Sequence, residues 1–561
     1  MRKYAFFIAF FALIVCTSCT DYPHPMVEEI TDGLTPYTIM IYMNGSDLES
    51  DFGLATSDLA EMLDSGLRSH NANVIILTGG TQQWLNSAIP ANECVIWQLE
   101  DGWINELDSM GLVDMGNPTT LRNFIMYSIE HFPAEKYGLI MWDHGGGSIV
   151  GFGHDEKFNN SSLTLLEMIQ AFDEAGLAAQ KLEFLGFDAC LMATVEMAIL
   201  AADYAHVFIA SEDLEPGDGW DYKFLGVLND TPQMNGFALG KVIVDTFIDF
   251  YGPNSDEILT LSVVDLAKVA PVMDTMGKLM SGADIDTNIG FFELAKRRGL
   301  TKTFGEGSPR DNYSDMVDIG DMAVLLYELY PTESEAVLQA LENCVVYNRH
   351  NSDIDLWGLS TFYIYGGKSL GDSSLETYAA LAMNSGYTNF LNQFFCGLTS
   401  RADAAPVTNR EFALWQQQEA NTFRLIGLQQ LEESHLWPKI NGHSVALYPI
   451  TTTENTRLYA MPAQINHREV DIVIAQPSGK ILGSRNINER VYQKGYDLIL
   501  PGDTITIYYL ECTNDTQKWV RGDEFVAGEN FTLTWEPAPH DCTVGYRITD
   551  ACGCVSYHHT R

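Results

Sequence analysis

From residue 37 to about 266, short and nearly continuous apolar runs alternate with amphipathic stretches of helical period. The runs at 37–43, 73–78, 94–99, 137–142, 182–187, 206–210 and 258–264 predict strands. The segments at 54–67, 120–131, 163–175, 191–202 and 237–251 predict helices between them. Strands that are apolar at successive positions, separated by helices, are the pattern of a parallel sheet covered on both faces. From about 266 to 399 the pattern adds helices at 316–329 and 334–345 and one further strand at 358–365. After about residue 401 the period changes to alternation: 423–428, 445–448, 470–474, 504–509, 531–535 and 544–548 read as strands. Turn signals such as Pro477-Ser478-Gly479 and Pro501-Gly502-Asp503 separate several of them. The fold class expected is α/β, an α/β/α sandwich with helical additions over 36–400, followed by an all-β sandwich-like domain over 401–561.

The first 35 residues belong to neither half. Arg2 and Lys3 precede an apolar run too short to span a bilayer, which ends in Cys16-Thr17-Ser18-Cys19. That is a signal peptide over 1–18 with a small-residue cleavage site of lipobox type, so Cys19 is the expected lipidated first residue of the mature chain and 19–35 its tether. A plain secretory signal is the alternative. Either places the protein at a bacterial cell envelope or surface, lipid-anchored, or secreted.

The whole chain of 561 residues carries 32 Lys+Arg against 75 Asp+Glu, a formal charge of −43. Such an acidic excess argues against nucleic acid as a partner and leaves the membrane to be reached through the N-terminal lipid. The other eight cysteines, Cys94, Cys190, Cys344, Cys396, Cys512, Cys542, Cys552 and Cys554, are too sparse for a disulfide scaffold. Cys542, Cys552 and Cys554 lie near His558 and His559 without the spacing of a zinc site, so no metal site is assigned there. A disulfide or buried thiols is the expectation.

Two strand ends carry the chemistry. The run ending at Trp142 opens into Asp143-His144-Gly145-Gly146-Gly147, and the run ending at Phe187 opens into Asp188-Ala189-Cys190. One right-handed βαβ crossover separates them, which brings His144 and Cys190 to the carboxyl edge of the sheet, where open α/β sheets bind ligands. An imidazole beside a thiol makes a nucleophile for acyl transfer. The glycines after His144 let backbone approach closely, so Gly145 and Cys190 amides are the candidate oxyanion hole. Asp188, two residues before Cys190 on extended backbone, points the same way and suits a pocket for Arg or Lys; it could equally cap a helix starting at 191. Asp218, in Glu215-Pro216-Gly217-Asp218-Gly219-Trp220, is a second candidate pocket acid or a solvated turn residue. His154 is the reserve base, placed by the sequence in a polar loop.

The blocks Tyr42-Met43-Asn44-Gly45-Ser46-Asp47-Leu48-Glu49, Trp142 to Gly147, Asp188-Ala189-Cys190-Leu191-Met192, Ala210 to Trp220 and Gly358-Leu359-Ser360-Thr361-Phe362-Tyr363 together resemble the clostripain family of cysteine peptidases over about residues 35–399. The resemblance implies a caspase-like fold and a Cys190–His144 dyad. It also implies cleavage of protein or peptide substrates after Arg or Lys, with Asp188 and Asp218 as pocket acids. No cofactor is required for the chemistry; calcium is a candidate activator without an assignable site. Family members are activated by self-cleavage between histidine and cysteine. Lys157 and Lys181 are the only basic residues in that interval, and Lys157, in a polar loop, is the expected cut. The rival reading is a catalytically silent surface lipoprotein that binds protein or glycan through its C-terminal β domain.

Overall fold

Eight successive buried residues in the ten-residue strand β1 (Thr35–Asn44) leave no solvent face, which is possible only inside a sheet covered on both sides. The computed structural model describes residues 34–252, 255–307, 314–429, 436–453, 455–487, 492–513, 516–529, 531–538 and 542–559. The expected signal peptide, Cys19 and nearly all of the tether lie outside the described residues. The further strands of the first half are β2 (Ala72–Gly79), β3 (Cys94–Glu100), β4 (Trp103–Gly111), β5 (Ala134–Trp142), β6 (Phe152–Asp155) and β7 (Ser161–Leu163). They continue with β8 (Leu182–Asp188), β9 (Ala205–Ala210), β10 (Thr260–Asp265), β11 (Thr303–Phe304), β12 (Met316–Asp318), β13 (Val345–His350) and β14 (Ser360–Phe362).

Nine of these make the main sheet, in the order β13-β10-β9-β8-β5-β1-β2-β3-β4. The block β9-β8-β5-β1-β2 is parallel, as the sequence predicts. Both edges are antiparallel, which it does not. Apolar runs report burial and not direction. The connection from β2 to β3 holds no helix, so the chain turns straight back. Side chains of β1 alternate between two cores: Met40 and Tyr42 pack with Leu121, Phe124, Met168 and Phe172, whereas Ile39, Ile41 and Met43 pack with Leu59, Leu239, Ile243 and Phe247. Helices Pro118–His131 and Leu165–Glu174 thus cover one face, and Leu54–Asp64 and Gly236–Tyr251 the other.

The predicted helix at 316–329 divides into β12 and a helix Ile319–Leu326, because Asp318 caps the helix by accepting from the Asp321 amide at 2.6 Å. The strand expected at 358–365 shrinks to β14, which joins β11 and β12 in a small separate sheet. The helix expected from 191 starts at Val195. After helix Ser385–Ser400 the chain is almost wholly strand: a ten-stranded antiparallel sheet and a three-stranded one share a core that includes Ile440, Leu533, Ile472 and Ile505. Of the segment expected at 445–448, only Tyr448 is in a strand. Thr35–Arg561 forms one compact unit. Contacts such as Thr456 Oγ1 to Asp256 Oδ1 at 2.9 Å and Arg485 to the Glu306 carbonyl at 2.9 Å join its α/β and β-rich halves.

Candidate active site

β5 and β8 are parallel neighbours, and Trp142 pairs with Asp188 at the end of the ladder. His144 and Cys190 each stand two residues beyond that pair, so the two strand ends carry them to the same edge of the sheet. The approach is close: a Cβ on Gly145 would lie 1.9 Å from the Cys190 carbonyl oxygen, so that position admits only glycine. Leu191, next after the cysteine, holds a left-handed φ of 61°, a strained turn of the kind found at functional sites. The helix that follows is capped by Thr194, whose side chain accepts from the Met197 amide. Asp188 is therefore no helix cap, and its carboxylate pairs elsewhere.

His144 is fully buried and held at both ring nitrogens. Its Nε2 lies 2.7 Å from Asp47 Oδ1, and its Nδ1 accepts the Lys494 amide at 3.0 Å. An Nδ1 that accepts requires the proton on Nε2, donated to Asp47. Asp47 also meets His154 Nε2 at 3.1 Å, and the two imidazoles stack with centroids 4.8 Å apart. Burial pulls the Asp47 carboxyl up, but the two imidazoles outweigh it and hold it well below the usual carboxylate range. Asp143 faces away from the cysteine and ties the loop together, accepting from Asn44 Nδ2 (2.5 Å), Ser46 Oγ (2.7 Å) and the His154 amide (2.8 Å). His154 sits in the short hairpin β6–β7 rather than in a free loop, because Asp47 and the His144 ring clamp it.

Asp47, His144 and His154 are, among the described residues, the one grouping able to hold a metal ion, with ligand atoms all within 4.8 Å of one another. Two imidazoles and one carboxylate do not match the all-oxygen shell that calcium takes. The hydrogen-bonded arrangement accounts for all three residues without an ion. At the C-terminus, Cys552 is a buried thiol and Cys554 an exposed one, and neither is in a disulfide.

The Cys190 sulfur is wholly buried, and burial pushes its thiol well above the usual value, although the Glu215 amide donating at 3.2 Å pulls the other way. The thiol faces the Gln493 carbonyl oxygen at 3.6 Å. Beneath it lies a polar pit. Asp188 Oδ2 accepts from Tyr222 Oη at 3.0 Å and the Trp220 amide at 3.4 Å, while Oδ1 pairs with Lys494 Nζ. The same ammonium stands 3.7 Å from Glu215 Oε2 and 5.3 Å from the centroid of the Trp142 ring, whose indole N–H donates to Asp58 at 2.6 Å. Burial lifts the Glu215 and Asp58 carboxyls well above their usual range. Burial would also strip the lysine of its proton, but Asp188, Glu215 and Asp58 outweigh it and raise its pKa.

Lys494 is the unforeseen member. It comes from the β-rich half, on a strap that crosses the cleft: the Tyr492 amide donates to Gly145 O at 2.9 Å and the Gly495 amide to Glu215 O at 2.7 Å. Glu215, and not Asp218, is the second acid that meets the Lys494 ammonium; Asp218 is exposed on its turn, and Glu215 is carried inward by backbone that pairs with the strap. Asp47 lies in the segment Tyr42 to Glu49, to which the sequence assigns no catalytic part. Its signal was a carboxylate just past the end of β1, the strand next to β5. Lys157 lies half-buried in the 3-10 turn Glu156–Phe158, with Nζ on the Gln82 carbonyl at 3.1 Å.

A family model described as the Clostripain family matches residues 41–388. Clostripain of Hathewaya histolytica is 27% identical over 216 residues, an alignment taking in 33% of this chain and 40% of that protein, so the chain spans less than half the length of this curated relative. Among solved structures, a secreted C11 cysteine protease of Bacteroides thetaiotaomicron in complex with an irreversible peptide inhibitor is similar at 14% identity and TM-score 0.48, covering 62% of this chain and 98% of that one. An inactive zymogen C11 protease of Parabacteroides distasonis is similar at 20% identity and TM-score 0.49, covering 63% and 99%.

Proposed function

The chain belongs to the Clostripain family, and on that footing we propose that it is a cysteine endopeptidase cleaving peptide bonds after Lys or Arg. The observation that carries the specificity is a buried lysine ammonium seated among Asp188, Glu215 and Asp58, on the residue next to the one whose carbonyl meets the Cys190 sulfur. A pit that already satisfies one long cationic side chain suits a substrate's Lys or Arg and penalises an acidic or apolar one with unpaired buried carboxylates.

In the reaction, His144 Nδ1 takes the thiol proton, and the thiolate attacks the carbonyl carbon of the residue whose side chain fills the pit. Backbone N–H groups of Gly145 and Cys190 hold the developing oxyanion. The C–N bond then breaks, His144 returns the proton to the leaving amine, and a thioester remains on Cys190. Water, losing a proton to His144, attacks the thioester and releases the new carboxyl end with the thiol restored. Asp47 fixes the ring with its proton on Nε2, so the Nδ1 lone pair stays toward the reacting peptide. No step uses a cofactor.

Lys157, on the half-buried turn between the histidine and cysteine segments, is the proposed self-cleavage point, and Cys19 the proposed lipidation point that would keep the enzyme at the cell envelope. The decisive test pairs fluorogenic peptides ending in Lys, Arg or Asp with the signal-free protein and its Cys190→Ala variant, with calcium and with chelator. Cleavage of the Lys and Arg peptides alone, lost in the variant, supports the reading; equal cleavage of the Asp peptide refutes the pocket. Active protein that remains one intact chain refutes the cut after Lys157.

A further inference from the structure

The strap can be compared with what a substrate must do. In a productive complex the chain enters the pit with one residue and next presents that residue's own carbonyl carbon to the sulfur. In the strap the carbonyl at the sulfur belongs to Gln493, the residue before the pit lysine. The Lys494 amide, which a substrate would present on the far side of its pit residue, lies on His144 Nδ1. Gly495, after the lysine, then turns to pair with Glu215. The chain therefore passes the sulfur before it fills the pit, opposite to the order a cleavable peptide needs. Both reactive groups are engaged in a resting state: the thiol donates to the Gln493 oxygen and the imidazole lone pair accepts an N–H.

We propose that residues Tyr492 to Gly495 are a built-in inhibitor, a strap from the β-rich half that fills the peptidase cleft in reversed chain sense with Lys494 in the specificity pit. The proposal rests on the endopeptidase reading for what the cleft does, and on the strap's own contacts for what closes it. The strap is anchored on its own side: Asp497 and Ser484 exchange two backbone hydrogen bonds of 2.8 Å, and the Gln493 side-chain oxygen accepts the Asn486 amide at 3.2 Å. On the cleft side it depends on close fit. Gly495 has a left-handed φ of 70°, and a Cβ there would stand 2.5 Å from the Gly217 nitrogen and 2.7 Å from its Cα. A side chain at 495 should lift the strap without touching any acid of the pit or either reactive group.

The test measures, on the full signal-free chain, the rate at which iodoacetamide labels Cys190, located by peptide mapping, together with hydrolysis of a Lys peptide and the intact mass. Native wild-type protein should label at Cys190 at least about tenfold more slowly than Lys494→Ala or Gly495→Ala, the fraction of open cleft setting the apparent rate. Lys494→Arg, which keeps a cation in the pit, should stay slow. Wild-type Cys190 that labels as fast as the exposed Cys396 overturns the proposal with no variant needed, and so does an unchanged rate in variants whose near-ultraviolet circular dichroism is native. A cut between Gln493 and Lys494, or between Lys494 and Gly495, in the wild-type mass would make the strap a substrate and overturn it too. Faster labelling of the variants without peptide hydrolysis would leave the strap in place and refute the endopeptidase reading. Full hydrolysis by wild type would do the reverse.

Discussion

The pit beneath Cys190 is furnished by two halves of the molecule in unlike ways. Its acids stand on the α/β half: Asp188 at the end of β8 with Tyr222 and the Trp220 amide on its second oxygen, Asp58 on a helix with the Trp142 indole, Glu215 on backbone pinned to the cysteine. Its cation comes from the β-rich half on a strap whose hold on the cleft is a handful of backbone hydrogen bonds and one ammonium. Each acid keeps a partner of its own when the lysine is gone, and Glu215 and Asp58 are already pushed toward their neutral forms. The lysine without the acids would be a bare buried charge. One side is built to persist and the other can be withdrawn.

That asymmetry can be broken in several places. The largest effect is expected at the nucleophile: Cys190→Ala should lower Lys-peptide turnover by about 10⁴-fold or more in any form that shows turnover, and residual hydrolysis would move the chemistry elsewhere. Next is Asp188→Asn, which leaves Lys494 short of its nearest counter-charge; the loss should be about 3–5 kcal/mol in denaturant unfolding. Lys494→Met should cost clearly less, since the acids can take up protons, and the double variant should recover part of the Asp188→Asn loss. Equal costs for the two single variants would contradict the comparison. Asp47→Asn should reduce kcat about 10²-fold with KM within about twofold, because the imidazole loses the partner that fixes its tautomer; an unchanged kcat would make Asp47 merely structural.

Asp47 also sets a sign. Its folded pKa is depressed, so the stability it contributes is complete above the ordinary carboxylate value near ~4 and is lost only as pH falls toward the lower folded value. Glu257 behaves oppositely, and its effect is the smallest. Burial lifts it to about 7, with Asp218 and Asp256 adding to the rise and Lys480 opposing it. Its protonated form is favoured in the folded chain, so stability should fall as pH rises from about 5 through 7, by about 1 kcal/mol for this partly solvated group. Melting temperatures at pH 5.5 and 8 should show it, and Glu257→Gln should flatten the difference.

The sequence made the strand ends legible because β5 and β8 each finish in a largely apolar run that stops at an aspartate, Asp143 or Asp188, with His144 or Cys190 just beyond it. It left the sheet edges illegible, since apolar runs carry no direction. β4 was hidden for another reason: Trp103–Gly111 is largely exposed, with no stretch of apolar alternation, and only Asp101-Gly102 (φ 47° and 85°) signals its hairpin turn. Within Glu215 to Trp220, residue spacing could not say which acid turns inward, because a loop has no fixed period. The strap was invisible for a plainer reason. Gln493-Lys494-Gly495 is ordinary turn material about 300 positions from Cys190 in the chain, and only the packing of the two halves brings it there.

A lysine carried on the same chain as its pit never dilutes. Tethered ligands compete at effective concentrations on the order of millimolar, so a free peptide at micromolar levels meets a rival that is always present. Under the strap, the cleft would answer little to how much substrate surrounds it and strongly to whatever event detaches residues 492–495 from the strand ends. For such a molecule, abundance would be a poor measure of activity, and the covalent or conformational history of one short segment a good one.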